Sequence, residues 1–115
     1  MATMTKMTTS EELRKALEFT NLKPLLLFKH STRCPISAHA YEEVTAYLPA
    51  RPNEEIQYAI IDVINDRPVS NEVSEMLSVK HESPQVILVK DGKPVWHTSH
   101  SRITARELRG QLDGL

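Results

Sequence analysis

Four apolar residues in a row, Leu25-Leu26-Leu27-Phe28, follow Pro24 and stop at Lys29. A run that short cannot make a helix, and a strand without polar alternation has to be covered on both faces. Two more runs of the same kind occur, Tyr58 to Val63 and Val86 to Val89. Their Ile and Val content favours strand. Three such strands in one chain require helices above and below a sheet, and the intervening segments have the pattern to supply them. With 115 residues, a single domain spanning 1–115 is expected.

Thr9 with Glu12 three places on is a capping box, and Leu13, Ala16 and Leu17 share the face behind it, so a first helix is expected to run to about Thr20. After a loop from Lys29 to Arg33, the residues Ile36, Ala40, Val44, Tyr47 and Leu48 predict a second helix that begins at Cys34 and ends before Pro49. Asp66 as a cap and Pro68 in the first turn open a third, burying Val69, Val73, Met76 and Leu77. Asp91-Gly92 is a hairpin signal between Val86–Val89 and a strand over Lys93 to Thr98, where Val95 and His97 share a face. Thr104 with Glu107 caps a last helix carrying Leu108, Leu112 and Leu115, with Ile103 and Leu108 spaced as a hydrophobic staple. The order α-β-α-β-α-β-β-α makes an α/β domain with a central mixed four-stranded sheet flanked by four helices.

Composition narrows the function. Fourteen basic against fifteen acidic residues give a formal charge of −1, which offers no field to a polyanion, so neither nucleic acid nor a membrane surface is expected as a partner. The Met1 to Thr9 stretch lacks the apolar core of a secretory signal, and no apolar run approaches the roughly 20 residues of a membrane span. A soluble, cytoplasmic protein is expected, in keeping with one cysteine that has no partner for a disulfide within the chain. His30, His39, His81, His97 and His100 show no metal-ligand spacing, so no metal site is expected. Tyr41 and Trp96 read as packing groups.

Cys34 is therefore the residue to which chemistry attaches. A thiol at the start of a helix meets unpaired amide donors and the positive end of the peptide dipoles, which stabilise thiolate over thiol. Lys29, His30, Arg33 and His39 add positive or titratable groups, Ser37 can turn its hydroxyl toward the sulfur, and Pro35 stiffens the first turn without losing a needed amide. Burial as a small hydrophobe is the ordinary fate of a free cysteine. A site between Arg33 and Pro35, outside the apolar runs, argues for reactivity instead.

The stretch Phe28-Lys29-His30-Ser31-Thr32-Arg33-Cys34-Pro35-Ile36-Ser37, followed by His81-Glu82-Ser83-Pro84-Gln85 and Val86 to Lys93, resembles the monothiol bacilliredoxin family of thioredoxin-like proteins over nearly the whole chain. The resemblance implies a thioredoxin-like fold, a Ser83-Pro84 cis peptide lying against Cys34, and thiol-disulfide exchange with protein mixed disulfides. Relative to thioredoxins, Ser37 stands where a second cysteine would be, and one extra residue lies between Val79 and Pro84. Cys34 is then the catalytic residue, with Arg33, Pro35, Ser37, Ser83 and Pro84 as substrate-binding residues. The co-substrate implied is bacillithiol, with no tightly bound cofactor. The partners implied are bacillithiolated proteins and either bacillithiol or a partner redoxin for recycling, with the chain acting as a monomer. Two competing readings are an iron-sulfur cluster held between two chains through Cys34, and a thioredoxin-like interaction module that does no chemistry.

Overall fold

The computed structural model describes residues 4–50 and 55–113. Its elements run β1 (Thr5–Lys6), α1 (Ser10–Glu18), a 3-10 turn (Phe19–Asn21), β2 (Leu25–His30), α2 (Pro35–Ala50), β3 (Gln57–Asp62), α3 (Arg67–Leu77), β4 (Gln85–Lys90), β5 (Lys93–Ser99), a second 3-10 turn (His100–Arg102) and α4 (Ala105–Leu112). The sheet order is β1-β3-β2-β4-β5. β1 and β2 both run parallel to β3, whereas β4 is antiparallel to β2 and to β5.

Side chains alternate across this sheet and divide the core in two. Leu25, Leu27, Ala59, Ile61, Ile87 and Val89 face α1 and α3, meeting Leu13, Leu17, Val69, Val73 and Leu77. Leu26, Phe28, Tyr58, Val86 and Leu88 face α2 and α4, meeting Val44, Tyr47, Leu108 and Leu112. Residues of β2 and β4 are buried on both faces, as unbroken apolar runs require. Each fully covered side chain of this size contributes about 2 kcal/mol by leaving water.

Local signals set the ends of the elements. Thr9 and Glu12 form the reciprocal box at α1. Thr104 accepts the Glu107 amide at α4, while the amide of Ala105 finds Glu43 of α2 at 3.0 Å. Ile103 and Leu108 are both fully buried, as a staple requires. Asp91 and Gly92 both take positive φ, 52° and 74°, the pairing of a two-residue type I′ hairpin. Thr20, buried within the first 3-10 turn, holds that hairpin tip: its carbonyl accepts the Asp91 amide at 3.1 Å and its hydroxyl the Gly92 amide at 2.8 Å. β5 is an outer strand with Pro94 in it and a bulge beside that proline: the register passes from Leu88 opposite Trp96 to Val89 opposite Pro94, which leaves Val95 as the extra residue.

Several expectations need correction. The sheet has a fifth strand, because Thr5 and Lys6 pair with Ala59 and Ile60 at an edge where two residues of backbone bonding suffice and no apolar run is needed. β2 continues through Lys29 and His30, which are strand residues and not loop. α2 continues through Pro49 to Ala50, so that proline falls inside the last turn, where it forgoes an amide bond, and not after the helix. Asp66 caps α3 through its backbone carbonyl alone, its side chain making no cap bond. Met76 and Ile36 are 46% and 48% exposed, each lying off the buried stripe of its helix. Leu115 lies outside the described residues.

Candidate functional site

The C-terminal end of β2 delivers the chain to a short turn over Ser31 to Cys34, closed by the Cys34 amide on the Ser31 carbonyl at 3.4 Å. The Cys34 carbonyl then accepts the Ala38 amide at 3.0 Å, which places the cysteine at the N-cap of α2 with Pro35 as the first helical residue. Cys34 is half-buried, with Arg33 and Pro35 exposed on either side. The thiol is thus reachable, and first-turn amides without intrahelical acceptors lie beside it.

The sequence points Ser37 toward the sulfur; in the structure its hydroxyl is bound elsewhere. Ser37 is fully buried, accepts the Ser31 amide at 2.9 Å and contacts His30 Nδ1 at 2.8 Å. These bonds fix the turn that carries Cys34, because they join the end of β2 to the first turn of α2. His30 in turn packs against both Phe28 and Tyr41, with ring centroids 5.5 and 5.0 Å away, and those two rings stack on each other at 6.4 Å. Burial holds its imidazole below the usual range, partly offset by the Asp62 carboxylate and the bond with Ser37. Asp62, across from His30 in the β2-β3 register, accepts the Ile64 and Asn65 amides at 2.9 and 3.0 Å. The Asn65 amide leads the interactions that hold its carboxyl below the usual value.

The Ser83-Pro84 peptide is cis. Lys29 pairs with Gln85 across β2 and β4, so Pro84 enters the sheet at the level of His30, at the end where Cys34 lies. Pro84 is buried and Ser83 half-buried, and the Pro84 carbonyl accepts the His100 amide at 3.0 Å. Beyond Pro84 at this sheet end, a cavity of about 420 Å³ is lined by Glu82, Ser99, His100 and Arg102 among others. A hydrogen bond with Ser99 leads the interactions that keep Glu82 below the usual carboxylate value, and the His100 and His97 charges act in the same sense.

A cluster under the sheet escapes the sequence reading. That reading has Lys29 lending charge to the thiol; its side chain is instead fully buried on the α1/α3 face, where Nζ donates to Ser74 Oγ at 2.8 Å and meets His81 Nδ1 at 3.1 Å. Burial pushes the Lys29 amine down to about 8. Its cross-strand neighbour Gln85 is also buried, its amide donating to the Lys80 carbonyl at 2.9 Å. A signal for the cluster exists: Leu25, Leu27 and Lys29 share one face of a strand, and Ser70 and Ser74, one helical turn apart, sit on the inward stripe of α3.

A parallel-antiparallel sheet between two helix pairs, a cysteine at a helix start and a cis-proline facing that end define a thioredoxin-fold redox protein. Solved structures agree: a candidate oxidoreductase with a thioredoxin fold matches with a TM-score of 0.80 at 29% identity, covering 92% of this chain and 90% of that one. Fasciola hepatica thioredoxin matches at 0.75 and 20% identity, covering 96% and 98%, and Malassezia sympodialis thioredoxin at 0.79 and 10%, covering 99% and 91%. The model of the monothiol bacilliredoxin BrxC family matches residues 5–108, and the chain belongs to that family. Among the described residues no helix is long and apolar enough to cross a membrane, and no cluster of three or more His, Cys, Asp or Glu could hold a metal ion.

Proposed function

We propose that this protein removes bacillithiol from protein mixed disulfides by attack of the Cys34 thiolate. The attack forms a disulfide between Cys34 and the bacillithiol sulfur, breaks the bond to the protein, and releases the protein thiol as the reduced leaving group. A second thiol, free bacillithiol or a partner redoxin in the cytoplasm, then attacks the Cys34 adduct and leaves with the bacillithiol as a disulfide. No net oxidation of this chain results. The observation that carries the reading is the pairing of one reachable helix-start cysteine with a serine three residues on: no internal thiol can resolve the adduct, so the small thiol has to be handed to another molecule.

The remaining site residues take roles consistent with their positions. Pro35 keeps the first turn rigid, and Ser37 holds the turn through Ser31 and His30. Arg33, exposed beside the sulfur, and the neighbouring amides receive carboxylates of the small thiol. The Ser83 backbone beside Pro84 offers a donor and an acceptor to the extended chain of the substrate, and the cavity lined by His100 and Arg102 leaves room for the polar half of the thiol. No tightly bound cofactor takes part, and one chain suffices. Incubating the reduced protein with a bacillithiolated protein and weighing both products tests the proposal. The expected result is an unmodified substrate and an adduct on Cys34, absent in Cys34→Ser; a substrate that stays modified, with no adduct, would reject it.

A further inference from the structure

Lys29 is a fully buried cation that makes no ion pair among the described residues. Buried ammonium groups are normally held by carboxylates, since stripping the charge of water is costly. Here the groups around it are neutral or cationic. α3 contributes Ser74, with Arg67 acting on the same cluster, β4 contributes Gln85, and the loop from Lys80 to Ser83 contributes His81, with Glu82 as its single acidic residue. The two polar contacts of Nζ therefore connect three separate pieces of chain: the end of β2 that leads to Cys34, the middle of α3, and the loop that leads into Ser83-Pro84. That loop is tied a second time by Gln85, whose amide holds the Lys80 carbonyl. The side-chain carbonyl of Gln85, the cross-strand neighbour of Lys29, is buried without a hydrogen-bond partner, as is the Ser70 hydroxyl one turn before Ser74 on α3.

We propose that Lys29 is a positioning residue for exchange at Cys34: by bonding His81 and Ser74 at once it clamps the Lys80–Ser83 loop to α3, and so sets the Ser83 backbone where the protein half of the mixed disulfide is received. This rests on the reading that exchange at Cys34 uses that backbone. A clamp of this kind responds to acid in one direction. His81 Nδ1 accepts from Lys29 only while the imidazole is neutral. His81 is exposed as a residue; partial desolvation of its ring, then the charges of Lys29 and Arg67, oppose its protonation, and Glu82 favours it. Once His81 takes a proton, two cations face each other across 3.1 Å and the loop is released.

The test compares wild type with Lys29→Met, which fills the same space without charge, and with Ser74→Ala, which frees the clamp from α3 alone. The substrate is a bacillithiolated protein, and iodoacetamide probes the bare thiol. For Lys29→Met, KM is expected to rise about three- to tenfold, the worth of one hydrogen bond, with kcat and the iodoacetamide rate at Cys34 little changed. Amide exchange over residues 81–83 should quicken. Wild-type KM should climb as His81 titrates in acid, followed by its imidazole NMR signals, whereas Lys29→Met should give a flat, raised KM and a His81 midpoint moved upward. Ser74→Ala should shift KM in the same sense by less, and it carries the test should Lys29→Met not fold. Unchanged KM and unchanged loop exchange in both variants would overturn the clamp, as would a fall in alkylation rate parallel to activity, which would mark a general loss of structure. If wild type forms no adduct at all, the proposed exchange reaction fails; loop exchange and the His81 titration still decide whether the clamp exists.

Discussion

Lys29 also carries a stability consequence that is separate from its positioning role. An amine held at about 8 in the folded chain against 10.5 unfolded binds its proton more weakly once buried. Below pH 8 both states are protonated and the full penalty applies, about 3 kcal/mol by linkage; between pH 8 and 10.5 only the unfolded chain is protonated, so stability recovers as pH rises. Lys29→Met removes that penalty and leaves Ser74 and His81 each short of one partner, at a cost of about 1 to 2 kcal/mol. Denaturant unfolding is expected to show the variant equal to or more stable than wild type at pH 7, with its advantage shrinking by pH 10. A variant much less stable at pH 7 would contradict this account. Ser37 shows the opposite balance at the same scale. It is buried with both of its hydroxyl's contacts made, and the sequence discloses its identity but not its direction, because a residue one turn from Cys34 can aim either at the sulfur or back at β2.

Elements are legible where a local pattern and the tertiary environment demand the same thing. β2 and β4 are buried on both faces and read as unbroken apolar runs; α1 and α4 carry side-chain caps one residue before they start. Sequence pattern fails where a neighbour decides the outcome. β1 is a strand because the edge of β3 is open beside it, and nothing in Thr5-Lys6 itself says so. Lys29 belongs to β2 because α3 covers it with a serine. Cys34 is placed at the start of α2 by its neighbours Arg33 and Pro35, and the structure keeps it there. The Asp91-Gly92 hairpin is legible for a reason that can be tested. Gly92 takes a φ of 74° with open space around the position a Cβ would occupy, so Gly92→Ala meets backbone strain and no clash. The expected cost is about 1 kcal/mol, measured as a lowered Tm with the fold intact. A loss several times larger would mean that the bond from Gly92 to Thr20 had been broken as well.

At the scale of the whole molecule, the lack of a second thiol makes the proposed exchange cycle depend on an outside partner, and that dependence should be reversible by one atom. Ser37→Cys places a thiol three residues beyond Cys34, at the helix position where dithiol redoxins carry theirs. The variant is expected to expel the small thiol from its own adduct by closing an internal disulfide between Cys34 and the introduced sulfur, so that mass spectrometry finds a chain two hydrogens lighter in place of the bacillithiol adduct. Persistence of the adduct would show that the buried site cannot turn toward Cys34. The fold itself is readable from the order of its elements, since strand-helix-strand followed by helix and hairpin leaves few arrangements with covered faces. The substrate is not, because no cavity-lining side chain near the cis-proline has a spacing that names a ligand.

The outer strand β5 leaves Val95 more than half exposed along a free border of the sheet, a place where a second molecule could dock its backbone. Pro94 contributes no amide there, and the bulge next to it, where Val95 has no partner on β4, breaks the even spacing that an incoming strand would have to match. A stranger's chain thus finds an interrupted ladder on this flank.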